Sequence, residues 1–141
     1  MRRLLVLAVV SAFVVAGCGG GGGSNGSGGK PYTATATAPC LTKSGFKDVS
    51  MDPSKVGFIA GVAVNGGLYA KSPTGIPLTI AFAADAKDAA ATEVSYRQHA
   101  PASLRRHMAE IMESQSNAVI VWTESPSQDQ LTLALGCLRS G

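Results

Sequence analysis

The sequence predicts an α+β domain, a small and mainly antiparallel sheet of about four strands with helices packed on one face. Two short runs rich in β-formers, residues 78–82 and 118–122, supply strands. Between them lies a long stretch of helical composition and spacing, residues 85–112. Turn signals at Asn65-Gly66 and across residues 72–77 cut the preceding chain into short pieces suited to antiparallel neighbours. A ferredoxin-like split arrangement is one layout of this kind.

In chain order, residues 40–45 carry one or two turns of helix stopped at Gly45, and residues 47–51 a strand. Residues 58–64 and 67–71 flank Asn65-Gly66, a dipeptide suited to a type I′ turn because both central residues take positive φ, so a hairpin is expected. Residues 72–77 hold two prolines and a glycine and form a loop, after which 78–82 alternate as a strand. The Ala-rich residues 85–99 read as a helix whose end is set by Pro101. Leu104, Met108, Ile111 and Met112 then fall at i, i+4, i+7 and i+8, the apolar stripe of a second helix packing on the sheet.

Asn117 suits the left-handed residue that leaves this helix, and residues 118–122, apolar on both faces, read as a central strand. Ser125-Pro126 offers an N-cap and a first-turn proline for a terminal helix with Leu131, Leu135 and Leu138 at helical spacing. Leu131, Leu133, Leu135 and Cys137 also alternate, so a strand over 128–138 competes; the capping signal favours the helix.

Ahead of these elements, Arg2 and Arg3 precede an apolar run, residues 4–15, too short to span a bilayer, which ends in Val15-Ala16-Gly17-Cys18. The segment resembles a bacterial lipoprotein signal peptide, its last four residues matching the lipobox pattern of aliphatic, small, small, Cys. The resemblance implies that signal peptidase II removes residues 1–17 and that a diacylglyceryl group is attached to the Cys18 thiol. It also implies a cell-membrane or outer-membrane location, lipid-anchored, with the domain on the extracytoplasmic side. Residues 18–39 follow as the lipidated Cys18 and a flexible linker, Gly- and Ser-rich and then alternating Thr-Ala, which leaves 40–141 as a single α+β domain.

With Cys18 taken by lipid, Cys40 and Cys137 remain, and export places both in an oxidising compartment, so a disulfide between them is expected. In the chain-entropy model a bridge closing a loop of roughly a hundred residues is worth about 4.7 kcal/mol, less any strain. No Cys-x-x-Cys occurs, which argues against a redox or metal role for the pair.

The formal charge of +3 belongs mostly to the leader, and from Cys40 onward basic and acidic residues balance, which excludes an electrostatic footprint for nucleic acid. Gly29-Lys30 lacks the first glycine, the Ser or Thr and the preceding strand of a phosphate-binding loop. His99 and His107 lie on either side of Pro101 and lack the His-Glu-x-x-His geometry of a zinc protease. No Gly-x-Ser-x-Gly elbow occurs, and Asp48, Asp52, Asp85, Asp88, Glu93, Glu110, Glu113, Glu124 and Asp129 are scattered, so no catalytic residue, cofactor or metal ligand can be named. Aromatics are few, although Tyr69, Tyr96 and Trp122 could converge; Trp122, the sole Trp, reads as core.

The function expected is a lipid-anchored envelope protein with a small non-catalytic binding module, its partner a protein, a cell-wall component or a small ligand. A small envelope enzyme without a recognisable motif is the alternative.

Overall fold

The structure, a computed structural model, describes residues 29–141. The expected leader, the lipidation site Cys18 and the Gly/Ser part of the linker lie outside the described residues. The elements are α1 (Ala34–Lys43), β1 (Lys47–Ser50), α2 (Pro53–Gly61), β2 (Gly67–Lys71), β3 (Pro77–Phe82), α3 (Ala86–His99), α4 (Ala102–Arg105), α5 (Met108–Ile111), β4 (Met112–Gln115), β5 (Ala118–Trp122) and α6 (Gln128–Ser140). The fold class is α+β, with a five-stranded sheet in the order β1-β2-β3-β5-β4 and every neighbouring pair antiparallel.

A split βαβ unit keeps another strand between the two that its helix connects. One such unit is present, β3 and β4 joined through α3 with β5 between them, but β1 and β2, joined through α2, are direct neighbours and antiparallel, so the two interleaved split units of a full ferredoxin-like layout are not both formed. The fifth strand is β4, cut from the end of the segment expected to be one amphipathic helix. That segment instead forms two single turns, α4 and α5, and then extends at Met112. Helices cover both faces rather than one. Alternation along β3 shows this: Leu78, Ile80 and Phe82 join a large cluster with Leu41 and Leu138, whereas Ala81 joins a small one with Val56 and Ala60. Thus α1 and α6 lie on the first face and α2 on the second. On the second face also lies α3, whose Glu93 accepts a hydrogen bond from Ser114, a β4 residue in register with Val119 and so with Ala81.

On the first face the cover begins earlier than expected. Thr33 caps α1 by accepting from the Ala36 N–H, so residues 34–39 are helix, not linker. Ala34, Thr37 and Leu41 fall at i, i+3 and i+7 and are buried, and Pro39 is carried inside the helix. The Cys40–Cys137 disulfide, with Cα atoms 5.4 Å apart, ties α1 to α6. Two buried side chains reinforce the assembly. Asn117 accepts from the Tyr32 N–H at 2.8 Å and donates to the carbonyls of Tyr32 (2.9 Å) and Ala83 (2.8 Å). It therefore does not leave a helix in the left-handed region; Ser116, at φ 55, takes that conformation in the tight β4–β5 turn. Gln130 completes a capping box with Ser127 and donates to Ser72 at 3.1 Å, fastening the β2–β3 hairpin to the start of α6. The cap of α6 is Ser127, two residues beyond the Ser125 expected from sequence, and residues 128–138 are helical.

The other correction lies at residues 58–64, expected as a hairpin strand. Asp52 caps α2 by accepting from the Ser54 N–H, Pro53 opens it, and Phe58 to Gly61 continue it past a break at Gly57. Asn65-Gly66 then links α2 to β2, with Gly66 alone at positive φ. Gly67 lies directly beneath Ala60, whose carbonyl a Cβ at position 67 would strike, so α2 sits as close to β2 as backbone permits.

Cys137→Ser is expected to destabilise the domain by roughly 2–5 kcal/mol, lowering Tm by at least about 8 °C; scanning calorimetry of variant and oxidised parent checks this, and coincident melts would contradict it.

Candidate functional site

The second face of the sheet is covered unevenly. α2 packs over β2 and β3 and α3 over β4 and β5, leaving the residues between them, Thr79 of β3 and its register partner Val121 of β5, half-buried. The result is a cleft of about 790 Å³ with Thr79 and Val121 on its floor. One wall is α2 with its C-cap, contributing Val56, Phe58 and the capping Val62; the other is α3, contributing Ala91, Ser95 and Tyr96. Leu104 and Met108, from the two single-turn helices, close one end. That volume is in the range of small-molecule sites.

The local sequence explains why this region stays open. α3 presents one fully buried residue, Ala89; Tyr96 meets the Val56–Ala60 side of α2 but the rest of its inner surface is mostly Ala, Thr and Ser, so the two helices touch without closing over the sheet. α2 is interrupted at Gly57 (φ 77, ψ 171), a conformation costing side-chain-bearing residues roughly 1–3 kcal/mol. Beyond the break, Phe58, Val62 and the following Val64 remain exposed along the rim instead of entering the core.

The chemistry of the lining is apolar with a few hydroxyls. Asp88 and His99 are its carboxylate and imidazole, both exposed at the rim, and no Lys or Arg is among the lining residues. His99 Nδ1 lies 2.9 Å from the Ser95 carbonyl oxygen, within α3. Two polar atoms of lining residues are buried without a hydrogen-bond partner, the Tyr96 hydroxyl and the Trp122 indole N–H. Burial pushes the Tyr96 phenol up to about 12, so it keeps its proton at any ordinary pH.

Of the three aromatics that could converge, Tyr69 and Tyr96 pack on the Val56–Ala60–Ala81 cluster, and Tyr96 and Trp122 both line the cleft. Trp122 is nevertheless a core residue, in register with Leu78 and packed in the large cluster.

Several of the other polar residues have structural employment. Asp48 pairs with Lys71 at 2.8 Å across β1 and β2; the Lys71 hydrogen bond and charge hold its carboxyl below the usual range and raise the Lys71 ammonium. Asp52 is held low by the Ser54 hydroxyl and N–H that it caps. Asp85 caps α3, and Glu110 faces His107 Nδ1 at 3.5 Å and accepts from Ser125. His99 and His107 are not brought together with a carboxylate pair, and the described residues hold no group of three or more His, Cys, Asp or Glu placed to bind a metal ion.

Sequence reasoning missed the cleft, since its walls come from a segment read as a strand and from separate helices. The available signal was the pair of glycines, Gly57 and Gly61, inside the apolar run 56–64, together with three large apolar residues that a strand between covered neighbours would have buried.

Tyr96→Phe is expected to leave stability at neutral pH unchanged or higher, because it removes an unpaired buried hydroxyl. The parent should lose stability relative to this variant as pH rises from 10.0 to about 12, where the unfolded chain releases the phenolic proton and the folded protein retains it. Denaturant melts across that window check the slope; parallel profiles would show that Tyr96 is not desolvated. No family model, curated protein or solved structure matches this chain, so the reading of the cleft rests on its own geometry.

Proposed function

We propose that this chain is a lipid-anchored cell-envelope protein whose single domain binds an apolar, uncharged small molecule in the cleft between α2 and α3. The carrying observation is the cleft itself, about 790 Å³, lined mainly by aliphatic, aromatic and small side chains without a cation. At about 30 Å³ for each water-sized group, such a volume takes on the order of 25 non-hydrogen atoms. No Lys or Arg lines the cleft to neutralise a phosphate or carboxylate, and His99 stands at the exposed rim away from the floor, which favours an uncharged chain or ring system. The anchor rests on the lipobox ending at Cys18, and a disulfide between Cys40 and Cys137 is in keeping with an oxidising compartment. A binding module is favoured over an enzyme because no base, nucleophile and orienting group are gathered around the floor.

Trp122 is the only Trp in the chain and directly follows the floor residue Val121, with its side chain packed in the core on the other face, so its emission senses occupancy through the sheet and is read together with the mass of the complex. Titration with palmitic acid methyl ester is expected to give a saturable change in emission and a one-to-one added mass in native mass spectrometry. Ser95→Phe, which fills the cleft from α3, should abolish both without lowering Tm. A flat titration, or equal binding by the variant, would sink the proposal. For the anchor, Cys18→Ala should lose the lipid mass and leave the membrane fraction; an unchanged lipid mass would refute it.

A further inference from the structure

Six large hydrophobic side chains are exposed among the described residues, and four of them, Met51 (49%), Phe58 (83%), Val62 (64%) and Val64 (77%), come from one stretch of fourteen residues. The other two, Val94 and Leu133, sit singly on α3 and α6. Scattered apolar residues are ordinary on a protein surface, whereas a concentrated group marks an interaction site. We propose that this apolar edge rests in the interfacial region of the bilayer and presents the mouth of the cleft to the lipid. The inference rests on the lipid-anchor reading above and adds to it an orientation and a route for the ligand.

Three observations select a bilayer as the occupant. First, the chain enters the domain at this edge. The Ala34 N–H donates to the Asn65 carbonyl at 3.1 Å, a Cβ on Gly66 would sit 3.0 Å from that of Ala34, and Thr33 and Ala34 share a surface hollow with Met51 and Val64. Second, the chain preceding that point carries the apolar run 4–15 and Cys18, the latter only fifteen positions before Thr33. A tether of that length leaving from the apolar edge brings this edge, rather than the opposite side, nearest the anchor. Third, Phe58, Val62 and Val64 line the cleft as well as the surface, so an apolar molecule could pass from acyl chains into the cleft without crossing water.

Nearby charges are mixed, Asp52 and Lys55 both being exposed on α2, so contact depends on burying side chains rather than on anionic headgroups. The break at Gly57 contributes by beginning a new helical segment at Phe58, which sets that ring outward beside the cleft.

The test uses the full chain purified with its own lipid and reconstituted into vesicles of brominated phosphatidylcholine and phosphatidylglycerol, with Trp122 emission of the parent as the baseline. Phe58→Trp and Leu133→Trp each add one reporter at an exposed hydrophobic position. Expected is loss of most of the added emission at position 58, unaffected by high salt, with the emission at 133 retained. If the protein sediments with the vesicles yet position 58 is unquenched, or both positions are quenched alike, the docking inference is overturned while the anchor stands, and the edge belongs to a second copy or another protein. If the lipid-bearing protein stays in the supernatant, the anchor reading falls and the docking inference with it.

Discussion

The pairing of α1 with α6 is the constraint on which the rest of this domain depends. Neither helix supplies much stability of its own: α1 has ten residues, a proline inside it and no acidic residue in its first turn, and short helices are marginal without tertiary support. The Cys40–Cys137 bridge removes the freedom that would let them separate, and the Asn117 bonds to Tyr32 hold the entry to α1 against the β4–β5 turn. Once the two helices are held, Leu41 and Leu138 close over Leu78, Ile80 and Phe82, and one face of the sheet is sealed. Gln130 carries the same restraint to the β2–β3 hairpin through Ser72.

The opposite face is built from weaker parts. α3 buries little, α2 is broken after one turn, and α4 and α5 are single turns that fill an end rather than span a gap. The domain therefore has one closed layer that supplies stability and one open layer that supplies surface. This division suits a binding module, because the open layer can exchange contents while the core on the other side stays packed.

How far the sequence discloses this arrangement follows from the strength of each local signal. β2, β3, β5, α3 and α6 are legible because their periods agree with their packing, and the Cys40–Cys137 bridge because the lipobox reading sets Cys18 aside and so points to the other two thiols as partners. α1 was concealed by a Thr-Ala repeat that looks like linker and by Pro39, both overridden once Thr33 caps and Ala34, Thr37 and Leu41 find a core. α2 was concealed by β-branched residues leading into Asn65-Gly66; tertiary contact of Val56 and Ala60 with Ala81 decided for helix. β4 shares Met112 with an apparent helical stripe, and only pairing with Val121 reveals it as a strand. The cleft has no linear signature, since its floor is Thr79 and Val121, forty-two positions apart, and its walls come from two further elements.

Gly67 gives the open layer a property of its own. Because Ala60 rests on the bare backbone at this position, the absence of a single methyl group sets the height of α2 above the sheet. A side chain there would act as a shim, lifting the outer wall of the cleft while leaving the lining residues as they are. The dimensions of the cavity are thus set from below, at a residue outside its lining, and under the proposed binding role a lineage could alter the girth of the guest without changing the chemistry that it meets.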